Sequence, residues 1–181
     1  ARAQVHAADA AFVTGMIAHH AQALVMSRLA PAAGASAPLR TLTARIINAQ
    51  TDEIAVMQRW LAERDLPVPD VRPDGTMPGT MSGAAHAGDH AGDPAHRMPG
   101  MLTDAQLAEL RAARGAAWDR LFLAYMIQHH EGAVTMVHDL FAVDGAAQDD
   151  FIFKLASDIQ ADQITEIDRM RRMLDALPPG S

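Results

Sequence analysis

Phe12-x3-Met16-x2-His19-His20-x2-Ala23-x2-Met26 and Phe122-x3-Met126-x2-His129-His130-x2-Ala133-x2-Met136 are one pattern written twice, at a constant offset of 110 residues. A second pair follows. Gln50-x2-Glu53-Ile54-x2-Met57-x2-Trp60-Leu61 lies over Gln163-x2-Glu166-Ile167-x2-Met170-x2-Met173-Leu174 at an offset of 113, so three extra residues in one loop reconcile the two. Repetition on this scale marks a duplicated structural unit. In the first copy Phe12, Met16, His19, Ala23 and Met26 recur at steps of four and three, the spacing of one helix face, with Val13, Ile17, His20 and Leu24 beside it. Both histidines therefore fall on the buried face or at its edge. Leu39, Leu42, Ile46, Gln50, Ile54, Met57 and Leu61 form the stripe of a second helix, after breaks at Pro31, Gly34 and Pro38. Gln50 thus stands in the middle of an apolar row. The later half repeats this order through Ile152, Leu155, Ile159, Gln163, Ile167, Met170 and Leu174, after a break near Gly145.

Each half reads as a helical hairpin, over 5–66 and 102–177. Neither has enough core alone, and each is more stable if its apolar face buries the other's. The expected fold is all-α, a four-helix bundle forming one domain over 1–181. Residues 67–101, PVPDVRPDGTMPGTMSGAAHAGDHAGDPAHRMPGM, are too rich in Pro and Gly for regular structure and become its long, Met/His-rich crossover. Thr103-x2-Gln106 has the form of a capping box opening a short helix, which Gly115 interrupts before the second His-His helix starts near Trp118.

Composition narrows the functions. Of 181 residues 49% are hydrophobic and 20% charged, which excludes a disordered tail. No run approaches the roughly 18 apolar residues of a membrane span. Acidic residues outnumber basic ones, 22 to 15, and the net charge of −7 argues against nucleic acid as partner. With no Cys there is no disulfide, thiolate ligand or Cys nucleophile, so soft-metal chemistry falls to 11 Met and 9 His. Five Phe, two Trp and one Tyr leave a core built mostly of Ala, Leu, Ile and Met. The chain opens Ala1-Arg2 without an initiator Met, suggesting a processed chain whose targeting segment is missing. No phosphate loop, nucleophile elbow or other catalytic motif is found.

Two readings of the four repeated histidines stand side by side. Each could be a satisfied polar residue, bonded to Gln50 or Glu53 in one half and to Gln163 or Glu166 in the other. Alternatively His19, His20, His129 and His130 hold a metal with Met16 and Met126, one turn away; thioether with imidazole suits Cu(I), whereas Mg and Ca prefer oxygen. Gln50, Glu53, Gln163 and Glu166 would then stand behind the ligands. The crossover is a second candidate site through Met77, Met81, His86, His90, His96, Met98 and Met101, seven ligand side chains within 25 residues that hydrophobic packing does not explain. A loop of that kind can order around an ion. The opposing reading is a connector of biased composition. A di-iron site would need Glu-x2-His motifs, and the chain has none.

Met126-Ile127-x-His129-His130-Glu131-Gly132-Ala133-x2-Met136, introduced by Trp118-Asp119-x2-Phe122-Leu123 and preceded by Met98-Pro99-Gly100-Met101, resembles the bacterial family named domain of unknown function 305. Met16-Ile17-Ala18-His19-His20-Ala21-Gln22-Ala23 and the Gln50-to-Leu61 motif fit the same pattern, over nearly the whole chain. The resemblance implies a ferritin-like four-helix bundle, secreted, periplasmic or cell-surface, with copper binding in some members. Met173 stands where the first copy has Trp60, and Ala21-Gln22 where the second has Glu131-Gly132, which puts metal binding by the first half in doubt.

Three functions follow as expectations: a non-enzymatic, exported protein that sequesters copper or passes Cu(I) or Cu(II) to a transfer partner; a metal-free helical interaction module; and a ferritin-like metalloenzyme. Copper is the expected cargo, and the bundle should fold without it. Oligomeric state is not legible.

Overall fold

The computed structural model describes residues 4–78 and 98–179. Among these the chain is all-helical: α1 (Ala7–Ser27), a single turn α2 (Ala30–Ala33), α3 (Ala37–Ala62), α4 (Asp104–Ala112), α5 (Gly115–Phe141) and α6 (Asp150–Asp175). The capping box forms as expected, Thr103 accepting from the Gln106 backbone while Gln106 accepts from that of Thr103. Gly115 opens α5, three residues ahead of Trp118, at a φ of 58° that favours glycine. The extra residues between the two offsets lie in a helix and not in a loop. Val137 and Leu140 continue the buried stripe, carrying α5 to Phe141. In the first copy the position matching Phe141 is Pro31, and a proline cannot continue a helix interior, so α1 stops earlier.

Four long helices make the bundle, and each neighbouring pair is antiparallel. Ring stacking joins α1 to α5 at His19 and His129, and farther along Asp9 accepts from Ala147 N at 2.7 Å beyond the end of α5. Trp60 of α3 stacks on Phe151 of α6, and Arg64 beyond α3 pairs with Asp149 before α6 at 3.2 Å. This arrangement puts α3 and α5 on a diagonal, running the same way. The chain leaving α3 must therefore travel back along the bundle, about 39 Å for its 26 residues at 1.5 Å each, before α5 can begin. That requirement accounts for the long crossover. Its described parts lie along α1. A Cβ on Gly75 would stand 2.8 Å from Leu24 Cβ, and Pro99 bonds to His19.

Two apolar clusters fill the core. One gathers Phe12, Met16, Ile17, Met57, Trp60, Val137 and Ile159; the other gathers Met26, Leu42, Ile46, Leu110, Trp118, Phe122 and Met126. Side chains from both halves enter each. Between the clusters every long helix contributes polar residues: His19 and His20, Gln50 and Glu53, His129 and His130, Gln163 and Glu166. No described helix is long and apolar enough to cross a membrane.

Candidate metal centre

The four histidines are all within 1% of complete burial, a state uncommon for histidine. His19 and His129 face each other across the α1–α5 seam, ring centroids 3.8 Å apart and planes tilted 39°. Their neighbours point the other way along the helix circumference. His20 Nε2 donates to the Glu53 carboxylate on α3, and His130 Nε2 donates to the Glu166 carboxylate on α6. A carboxylate only accepts, so the proton of each ring sits on Nε2. In the neutral form of these rings Nδ1 is a bare lone pair, and neither His20 Nδ1 nor His130 Nδ1 meets a partner. Gln50 Oε1 lacks one too, and the His129 ring has only an approach to the His19 backbone that falls short of hydrogen-bond geometry. Among the described residues, five of the eight buried side-chain N and O atoms without a well-formed hydrogen bond fall in this single layer. An unmade hydrogen bond in a core costs about 1–3 kcal/mol, so the layer is destabilising as it stands.

A strap formed by the end of the crossover covers the layer on one side. His19 Nε2 donates to Pro99 O at 2.9 Å, and the Gln22 amide holds Leu102 at both ends, donating to its O at 3.1 Å and accepting from its N at 2.8 Å. Opposite, Gly132 admits the strap against α5, because a Cβ there would run into the Pro99 carbonyl and stand 2.6 Å from Gly100 Cα. Gly100 itself has a φ of 74°, and a Cβ on it would lie 2.8 Å from Gly132 Cα. One place where the repeat departs from itself, Gln22 against Gly132, is thereby accounted for. Two repeats face one strap, so Gln22 grips it and Gly132 makes room for it.

Burial pulls the His19 imidazole down to about 3 against the opposing influence of its Pro99 bond, while His20 and His130 push it the same way as burial. His129 lies well below its ordinary value for the same first reason, with His19, His130 and His20 adding to it and an approach to the His19 backbone opposing it. Both rings are neutral at pH 7, the form that ligates metals. Acid sensitivity follows. The unfolded chain binds protons at these two rings below about pH 6.5, while in the folded chain His19 refuses its proton until about pH 3 and the His129 ring, also lowered, resists protonation as well. Stability should hold above pH 7 and fall as the pH drops below about 6.5, His19 contributing up to about 1.4 kcal/mol per pH unit down to about pH 3 and His129 acting in the same direction. A melting temperature flat across that acid window would contradict this placement. On α6 the Asp162 carboxyl is raised by burial, then by Glu53, Asp158 and Glu166, so the α3 and α6 carboxylates crowd one another outside the histidines.

The remaining candidates disperse. Met16 and Met126 are fully buried in the two different clusters. Gln163 is buried, like Gln50. Met77, Met98 and Met101 are half-buried along the crossover, whereas Met81, His86, His90 and His96 lie outside the described residues. Among the described residues no three His, Asp or Glu side chains form a group able to hold a metal ion. Glu131 is half-exposed and paired with Arg171 at 2.6 Å. Reading the residues missed the Pro99 carbonyl and Gln22, whose signal was the broken repeat symmetry.

A family profile described as Domain of unknown function (DUF305) matches residues 9–174. No curated protein matches the chain. Among solved structures, a DUF305 fragment from Deinococcus radiodurans is 26% identical, with 97% of this chain and 100% of that one aligned and a TM-score of 0.75. A DUF305 protein of Streptomyces coelicolor, designated a secreted-protein candidate, is 26% identical over 93% of this chain and 92% of its own, with a TM-score of 0.72. CopM, in Cu(I)-bound and Cu(II)-bound forms, is 26% identical over 92% of this chain and 95% of its own, with a TM-score of 0.66.

Proposed function

The chain belongs to the DUF305 family, and from that premise we propose that it is an exported copper-binding protein that holds the ion, or passes it to a partner, through imidazole and thioether groups. The observation that carries this reading is the set of buried nitrogens without a well-formed hydrogen bond, on His20, His129 and His130. A fold does not retain such atoms without a use for them, and an incoming cation supplies what each lone pair lacks. The donor set fits copper. Neutral imidazole and thioether suit it, and hard ions would ask for the oxygen ligands that Glu53 and Glu166 already commit to His20 and His130. With no three His, Asp or Glu side chains grouped among the described residues, the ion takes few of them or recruits sulfur, which a soft cation accepts.

Each residue then has a task. His20 Nδ1, His130 Nδ1 and His129 offer lone pairs, and Glu53 and Glu166 fix the tautomer and orientation of the two rings they hold. Residues 1–181 act as one domain, since both apolar clusters draw on both halves. The copper-bound forms of CopM and the designation of the Streptomyces protein support the cargo and the export. Titration with Cu(I) and with Cu(II), followed through the histidine ring signals by NMR, tests the reading. Glu53→Gln and Glu166→Gln should each weaken binding about 10–100-fold. Ring signals unmoved by micromolar copper of either charge would defeat the proposal.

A further inference from the structure

Gly15 lies inside α1, one turn before His19, and its φ is not in the left-handed region. Conformation therefore does not call for glycine here, and alanine would favour the helix by about 0.5–1 kcal/mol. What the missing side chain provides is space. From the point a Cβ would occupy, Met98 Sδ is 3.3 Å away and Met136 Cε 3.5 Å away. The two thioethers arrive from different elements, Met98 from the strap and Met136 from α5. The matching residue of the second repeat is Tyr125, so the notch exists only in the first copy.

We infer that Met98 and Met136, both reaching the Gly15 notch one turn from His19, form a thioether site for a soft monovalent cation such as Cu(I). This deepens the copper reading and rests on it. Thioethers are neutral, polarisable donors that select Cu(I) over hard ions. Both methionines are only partly buried, so an ion can reach them without unfolding the core. Met98 is also next to Pro99, whose carbonyl anchors His19, so an ion held there would fasten the strap to α1 and α5 together.

The test uses the full chain with its methionine methyl groups isotope-labelled and Cu(I) added anaerobically. The εCH3 signals of Met98 and Met136 should shift together with the first equivalent or so of Cu(I), and Cu(II) should leave them in place. Met98→Leu and Met136→Leu conserve volume and should keep the fold while each lowers Cu(I) affinity about tenfold or more. Gly15→Ala, which displaces the Met98 sulfur, should do the same. If Cu(I) moves the His20 and His130 ring signals but neither methyl, or if both leucine variants bind Cu(I) at full affinity, this site is wrong and the copper reading survives. If no histidine or methionine signal moves, both fall.

Discussion

A His129→Leu variant will melt higher than the wild-type chain when both are metal-free, and will bind copper less tightly. No well-formed hydrogen bond reaches either ring nitrogen of His129, which is 1% exposed and has only an approach to the His19 backbone that falls short of hydrogen-bond geometry. Each such atom costs about 1–3 kcal/mol, and a leucine of similar volume removes both while keeping the van der Waals contacts with His19. Repacking takes back part of that gain. A net stabilisation of about 1–3 kcal/mol corresponds to roughly 3–9 °C at this chain length, read by calorimetry on chelator-treated protein. The same change deletes a lone pair from the layer, so copper affinity should fall about tenfold or more. Opposite signs in the two measurements are the signature of a site held at the expense of stability. If the metal-free variant melts lower, the His129 nitrogens are satisfied in solution, and the observation beneath the copper reading is removed.

The histidine layer was legible because the repeat put His20 and Glu53, and His130 and Glu166, at matching places on helices that had to pack together. Periodicity alone fixed which helices carried them and that they faced inward. It did not reveal how the two readings of those histidines would combine. His20 and His130 are satisfied at Nε2 and unsatisfied at Nδ1, so the polar-core reading and the ligand reading each describe one nitrogen of the same ring. Less was legible where the crossover touches the bundle. Gly132, Gln22 and Gly15 are defined by strap residues that approach them from roughly 30 to 80 residues along the chain, and a helical period carries no trace of such an approach. Met136 shows the same limit: its place on the seam read as core filling, and the Gly15 notch its methyl reaches is shared with a strap sulfur.

Gly132→Ala should destabilise the chain although it looks conservative. On helix propensity alone it would be favourable by about 0.8–1 kcal/mol, because alanine is the better helix former. The added methyl, however, would occupy the position of the Pro99 carbonyl. Backbone cannot swing aside as a flexible side chain would, and Gly100 behind it already holds a φ of 74° with its own Cα side against α5. The strap must lift. Lifting it breaks the His19–Pro99 bond and the paired Gln22–Leu102 bonds, which opens the layer to water. The net loss should be about 1–3 kcal/mol despite the propensity gain, with melting lowered by roughly 2–4 °C per kcal/mol. Hydrogen exchange locates the damage: the Leu102 amide should lose protection, while amides in the α3 and α6 interiors keep theirs. Glu131→Ala, one residue away and half-exposed, serves as the control and should stay within about 0.5 kcal/mol of wild type. Unchanged Leu102 protection in Gly132→Ala would mean that the strap is not seated between α1 and α5. In that case neither the shielding of His19 nor the sharing of the Gly15 notch by Met98 and Met136 would stand.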